Sequence, residues 1–266
     1  MNVKILKVIK NIKHNDEIFE LIVENHNQSM KAGQFYGLKL NDKSKILRRP
    51  ISINKYDEKQ ISFLIRNTKE GISELADLKE NDEINAMGPL GNGFDTSELK
   101  SNSTVILYGG GIGIAPLLQL AKEIKSKFEA INIITLLGYR ENPYQIKEFK
   151  EVSSSVDVFL ELEIKEKIEI ANVSYTYGEY PSNYYGKLLK EKNIDYVYSC
   201  GPDALLENAV EILKNTSDIN TKIYVSLEER MACGIGACLC CTKVINENQG
   251  ICVCKDGPVF NGVEVY

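Results

Sequence analysis

Thr104-Val-Ile-Leu-Tyr-Gly-Gly-Gly-Ile-Gly-Ile-Ala-Pro116 is the stretch on which the fold turns. Thr104–Tyr108 is an apolar, β-branched run with the character of a buried strand. The glycines at 109, 110, 111 and 113 then precede an amphipathic segment, Ala115–Phe128. A strand that runs through a glycine loop into a helix opens a parallel α/β sheet. The glycines let the backbone approach a pyrophosphate, whose charge is favoured by the helix N-terminus, so Gly110, Gly111 and Gly113 are candidate nucleotide-binding positions. The G-x-G-x-x-G pattern is not completed, because Pro116 stands where a third glycine would follow Gly111 and Gly113. A tight βα turn without a ligand is therefore the alternative. Ser101–Ala121 is also the longest charge-free run, but its glycines and Pro116 break it into strand, loop and helix, against a membrane span.

The alternation continues downstream with a strand at Ile131–Leu137, a strand at Tyr196–Ser199, the turn Cys200-Gly201-Pro202, a helix Ala204–Leu213 and a strand Lys222–Ser226. Residues 101–226 are thus expected to form an α/β domain, a parallel sheet with helices on both faces. Cys200, Gly201 and Pro202, at a strand end, would face the crevice outside the carboxyl ends of the strands; a buried strand-end cysteine is the bland alternative. Tyr175, Tyr177, Tyr180, Tyr184 and Tyr185 fall in a stretch read as loop-rich.

Upstream, residues 1–100 read differently. Short strand-like runs at Val3–Ile9, Ile18–Val23, Phe35–Leu40, Ile51–Ile53, Ile61–Ile65 and Glu83–Ala86 suggest an all-β barrel or sandwich. A short helix over Gly71–Leu78 interrupts them, and the Gly88-Pro-Leu-Gly-Asn-Gly-Phe94 turn cluster marks the expected domain boundary.

The 266 residues allow two or three domains, and a net charge of −5 with pI near 5.4 excludes a globally basic nucleic-acid-binding surface. The N-terminus alternates apolar and charged residues where a leader would have an apolar block, so a reducing cytoplasm is the expected compartment. His14 and His26 have no Ser or carboxylate pattern around them, which leaves a hydrolase triad without support.

Residues 227–266 form a third segment, too small to bury much core and rich in thiols. Six of the seven cysteines fall here: Cys233, Cys238, Cys240, Cys241, Cys252 and Cys254. Cys233-x4-Cys238-x2-Cys241 with a downstream thiol is the plant-type spacing for a [2Fe–2S] cluster. Gly234 and Gly236 suit a loop that curls over sulfur and aims amide N–H groups at it. Zinc held by Cys238, Cys241, Cys252 and Cys254 is the competing reading, but Cys252-x-Cys254 is too tight for a zinc arm. Spacing leaves the fourth ligand open between Cys252 and Cys254, which share a face of an extended strand.

Arg48-Arg49-Pro50-Ile51-Ser52-Ile53 is the remaining signal. Only five of the 32 basic residues are arginine, at 48, 49, 66, 140 and 230. Each lies in or beside a segment of interest, and a guanidinium that grips phosphate bidentately is not replaced by lysine without loss.

Taken together, Arg49-Pro-Ile-Ser52, Gly88–Phe94, Gly109–Pro116, Cys200-Gly-Pro202 and Glu229-Arg-Met-Ala-Cys233 through Cys254-Lys-Asp-Gly-Pro-Val-Phe260 closely resemble the electron-transfer subunit of class 1B dihydroorotate dehydrogenase, within the ferredoxin reductase superfamily. The resemblance implies a flavin-binding β-barrel (1–100), a Rossmann-like NAD-binding domain (101–226) and a [2Fe–2S] segment (227–266). It implies FAD contacts from Arg49 (pyrophosphate), Pro50, Ile51 and Ser52 (isoalloxazine), from Leu64, Ile65 and Arg66, and from Gly71 and Ile72. At that last place the family commonly has Gly-Thr; Ser73 is a substitute hydroxyl. It resolves the cluster ligands as Cys233, Cys238, Cys241 and Cys254. It further implies a partner, the FMN-containing dihydroorotate dehydrogenase catalytic subunit, in a heterotetramer of two catalytic and two electron-transfer subunits, without nucleic acid or membrane. The activity implied is transfer of electrons through [2Fe–2S] and FAD to NAD⁺ in pyrimidine (UMP) biosynthesis, with no catalytic residue for dihydroorotate on this chain. The alternatives are a subunit of an NADPH:ferredoxin oxidoreductase or transhydrogenase complex, and a non-catalytic zinc or thiol redox-sensing module.

Overall fold

The computed structural model describes residues 3–26, 28–41, 44–68, 72–163, 170–216, 220–246 and 249–266. The chain divides into two compact units, Met1–Gly93 with Glu228–Pro258 and Phe94–Leu227 with Val259–Tyr266.

The first unit opens with β1 (Val3–Lys13), β2 (Ile18–Glu24), β3 (Phe35–Lys39), β4 (Arg49–Ser52), β5 (Lys55–Tyr56), β6 (Gln60–Arg66), α1 (Ser73–Ala76) and β7 (Glu83–Leu90). The sheet order is β4-β3-β7-β1-β2-β6-β5, with antiparallel neighbours. Its two end strands, β4 and β5, are separated in sequence only by Ile53 and Asn54, so the sheet curls until its ends meet as a barrel. Phe19, Leu21 and Val23 of β2 and Ile61, Phe63 and Ile65 of β6 point inward, with Leu6, Val8, Tyr36 and Leu38. The side-chain period of two therefore sends Glu20, Ser62 and Leu64 to the opposite face. Two-residue β5 has no apolar run, which is why the sequence pattern did not disclose it.

In the second unit β8 (Thr104–Gly110) leads through a 3-10 turn (Gly111–Ile114) into α2 (Ala115–Lys127). There follow β9 (Asn132–Tyr139), α3 (Ile146–Val152), β10 (Ser155–Leu160), β11 (Val173–Tyr177), α4 (Pro181–Glu191), β12 (Tyr196–Cys200), α5 (Asp203–Lys214) and β13 (Lys222–Ser226). The order β11-β10-β9-β8-β12-β13 is parallel throughout. The chain winds outward from β8 to β11 and then returns to β12, so the topological switch point lies between β8 and β12. The tyrosine-rich stretch expected to be loop is β11 and α4. Pro181 starts that helix, and fully buried Tyr185 packs on Tyr108 with ring centroids 5.1 Å apart.

The C-terminal residues serve both units. β14 (Thr242–Asn246), β15 (Gln249–Cys252) and α6 (Val253–Asp256) belong to the first, whereas β16 (Val259–Asn261) and α7 (Gly262–Val265) belong to the second. There β16 adds antiparallel to β13. Among the described residues no helix is long and apolar enough to cross a membrane.

Candidate functional site

The cysteine loop turns through a series of left-handed residues, Gly234 (φ 71°), Gly236 (φ 79°) and Leu239 (φ 56°). Two of the three are glycine, which reaches this region without the Cβ penalty. The turns aim backbone N–H groups at sulfur. Ile235 N and Cys238 N donate to Cys233 Sγ at 3.5 and 3.4 Å, Gly236 N donates to Cys254 Sγ at 3.1 Å, and Cys254 N donates to Cys241 Sγ at 3.4 Å. The Ile235 N–H, followed by weaker donors, outweighs partial burial and brings the Cys233 thiol down to about 6. Thiolate, the form that binds metal, is thus favoured at this position.

The β14–β15 hairpin returns the chain so that Thr242 pairs with Cys252, and Val253 N donates to Cys241 O at 3.1 Å. Cys241, Cys252 and Cys254 are buried, and their sulfurs all lie within 4.8 Å of one another. Cys233 is half-buried, while Cys238 and Cys240 are exposed. Soft sulfur donors from the 229–241 loop and from the β15–α6 junction, already hydrogen-bonded by backbone N–H groups, fit a thiolate-ligated iron–sulfur cluster.

The Gly88–Phe94 turn grips this segment. Asn92 N donates to Gly257 O at 2.6 Å, and Asn92 Nδ2 donates to the Lys255 and Asp256 carbonyls at 3.1 and 2.9 Å. Gly91 has φ +72°, and a Cβ there would lie 2.7 Å from Gly257 O. The turn read from sequence as a boundary also clasps the cysteine segment.

On the barrel, Arg49, Pro50, Ile51 and Ser52 form β4 and pair with β3. The two arginines differ in their commitments. Arg48 donates to Gly37 O, Asn85 O and Asn85 Oδ1, at 3.1, 3.2 and 2.6 Å, and so ties strands together. Half-buried Arg49 donates to the nearby Leu47 O at 3.1 Å, a local bond that a phosphate can replace. Leu64 is buried on the same face as Glu20, which it opposes in register, whereas Ile65 points into the core and exposed Arg66 ends the strand. Ile72 packs on the barrel core ahead of α1; Gly71 lies outside the described residues.

Sequence reasoning missed Glu20. Its carboxylate, 3% exposed, accepts hydrogen bonds from Ser62 Oγ, from Lys55 Nζ at 2.8 Å and from Asn54 Nδ2 at 3.3 Å, and lies 3.2 Å from His14 Nε2. Burial alone would raise its pKa, but the His14, Lys55 and Ser62 contacts outweigh that and hold it at about 2.

In the second unit, Gly110, Gly113, Cys200, Gly201 and Pro202 come together at the switch point. Cys200 pairs in register with Gly109, and its side chain is buried. A Cβ on Gly113 would lie 2.6 Å from Cys200 O and Gly201 N, and one on Gly110 would lie 2.6 Å from the Leu205 side chain. Gly111 begins the 3-10 turn at φ 55°. The missing side chains of Gly110 and Gly113 let the β8–α2 turn pack directly on the Cys200–Pro202 turn ahead of α5, at the switch point where sheets of this kind bind a dinucleotide phosphate.

A family model described as the iron-sulfur cluster binding domain of dihydroorotate dehydrogenase B matches residues 228–266. The dihydroorotate dehydrogenase B (NAD(+)) electron transfer subunit of Streptococcus pneumoniae serotype 4 is 35% identical over 260 residues, spanning 96% of this chain and 97% of the relative. The corresponding protein of Listeria welshimeri is 38% identical over 269 residues, spanning 98% and 97%. Among solved structures, one reported for the NADH-dependent reduced ferredoxin-NADP oxidoreductase aligns with a TM-score of 0.79 at 28% identity, covering all of this chain and 91% of that one. A ferredoxin NADP+ reductase from Neisseria gonorrhoeae with bound FAD and NADP, at 15% identity and a TM-score of 0.64 over 85% of this chain and 98% of its own, shares the fold.

Proposed function

The chain belongs to the family of dihydroorotate dehydrogenase B electron-transfer subunits, and on that footing we propose that it takes electrons from the FMN of a separate dihydroorotate-oxidising subunit through a [2Fe–2S] cluster, which carries them singly, to FAD, which collects two for hydride transfer to NAD⁺. The observation that carries this reading is the convergence of backbone N–H groups on the sulfurs of Cys233, Cys241 and Cys254.

Cys233, Cys238, Cys241 and Cys254 would ligate the cluster. Arg49, with Pro50, Ile51, Ser52, Leu64, Ile65, Arg66, Gly71 and Ile72, would hold FAD on the 1–100 segment. Gly110, Gly111, Gly113, Cys200, Gly201 and Pro202 would hold NAD on the 101–226 segment, with 227–266 as the cluster segment. No residue of this chain is assigned to dihydroorotate, so its general base lies on the partner. The working assembly is a cytoplasmic heterotetramer of two subunits of each kind, serving pyrimidine synthesis.

The test is dihydroorotate-dependent NAD⁺ reduction by the chain co-purified with its partner. Activity is expected; none with the correctly paired partner favours an NADPH:ferredoxin oxidoreductase subunit, a second reading that the 28% identity to such an enzyme keeps in play. A colourless, zinc-containing preparation would overturn both. Cys254→Ser should abolish the cluster absorbance, whereas Cys252→Ser should leave it.

A further inference from the structure

The ligand set leaves two thiols of the cysteine segment without a role, and the structure separates them. Cys240 is exposed. Cys252 is 8% exposed, with its Sγ 3.6 Å from Cys241 Sγ and 3.7 Å from Cys254 Sγ. It therefore stands almost equally far from the two ligand sulfurs that are themselves buried.

Its position is fixed by its surroundings. Cys252 N donates to Asp256 Oδ2 at 2.8 Å, and the residue faces Thr242 across the β14–β15 hairpin. The two neighbouring ligand sulfurs each already receive one backbone N–H, from Cys254 N and from Gly236 N. The Cys252 S–H is a further donor within reach of the same pair.

We propose that Cys252 is a tuning residue, whose S–H donates to a ligand sulfur, Cys241 or Cys254, and raises the reduction potential of the cluster. This rests on the reading of Cys233, Cys238, Cys241 and Cys254 as the ligands. Reduction adds negative charge that spreads over the sulfurs, so a donor at a ligand sulfur stabilises the reduced form more than the oxidised form. The role suits the relay: the donor sets how readily the cluster accepts its single electron. A net hydrogen bond in a folded protein changes an equilibrium by about two- to tenfold, the upper end being about 59 mV for one electron.

The test is an anaerobic redox titration of the full chain carrying cluster and FAD, followed by the electron paramagnetic resonance signal of the reduced cluster. Cys252→Ala removes the donor with little change of volume. It should retain the cluster and lower the ratio of reduced to oxidised form about two- to tenfold at fixed potential. Cys252→Ser restores a donor and should recover at least half of that shift, and Cys240→Ala should show none. An unshifted potential in Cys252→Ala overturns the proposal while leaving the ligand reading intact, as does an equal shift in the Ser and Ala variants. Loss of the cluster from Cys252→Ala also overturns it. If Cys254→Ser then keeps its cluster, the ligand reading falls as well.

Discussion

Glu20 is held out of water and yet kept charged, because Lys55, Ser62, Asn54 and His14 replace the solvent it has lost. Its pKa is depressed from the ordinary glutamate range to about 2. The stability this contributes is present at neutral pH, declines as pH falls below the ordinary carboxylate range, and is gone once pH passes below about 2. Glu20→Gln keeps the size and some hydrogen bonding but not the charge. It should cost about 2–3 kcal/mol at pH 7 and flatten the dependence of stability on pH across that acid window. Urea unfolding at a series of pH values measures both, and an unchanged acid slope would show that the carboxylate is not held as described. Glu20 escaped the sequence reading because a strand period reports inside or outside and not which distant side chains gather on a face. The cysteine spacing was legible for the opposite reason: Cys233, Cys238 and Cys241 lie within one short loop, where distance along the chain constrains distance in space.

At the scale of elements, strand, glycine loop and helix at Thr104–Pro116 were readable because each step is local, from β-branched run to glycine turn to amphipathic helix. Several elements were hidden, three strands among them. β5 is two residues long, β11 reads as polar because Ser174 and Thr176 alternate with its tyrosines, and β16 gains its strand character only by pairing with β13. That last pairing covers an edge that would otherwise be open to association with other chains. The Asn92 clasp was equally out of reach, since its carbonyl partners are 163 and 164 residues away. Asn92→Ala removes both side-chain hydrogen bonds but leaves the backbone bond to Gly257, so the loss should be about 1–2 kcal/mol and confined to the cysteine segment. The cluster should then be lost faster in air, seen as quicker bleaching of its visible absorbance, with little change in the overall unfolding midpoint. Equal bleaching rates in the two proteins would mean that the turn does not restrain the segment.

Over the whole molecule, the two units differ in how they secure their parts. The barrel has its own core of Leu6, Leu21, Tyr36, Phe63 and Ile65, and the α/β unit has another around Leu107, Leu118, Ile133, Phe149, Val197 and Val225. The loop 229–241 has neither helix nor strand and buries little beyond Gly234 and Cys241. A segment with so few apolar contacts cannot offset the entropy of ordering its backbone, roughly 1–2 kcal/mol per residue, without further ties. Thiolate ligation supplies them, since metal binding to a site that is not otherwise rigid appears as folding free energy. Cluster removal by chelator and oxidant should therefore act locally. Far-UV circular dichroism and NAD affinity should stay close to those of the loaded protein, while limited proteolysis should gain a cut within residues 229–241. A collapse of the whole thermal transition on cluster loss would instead mean that the cluster holds the barrel together, against the continuous core seen there.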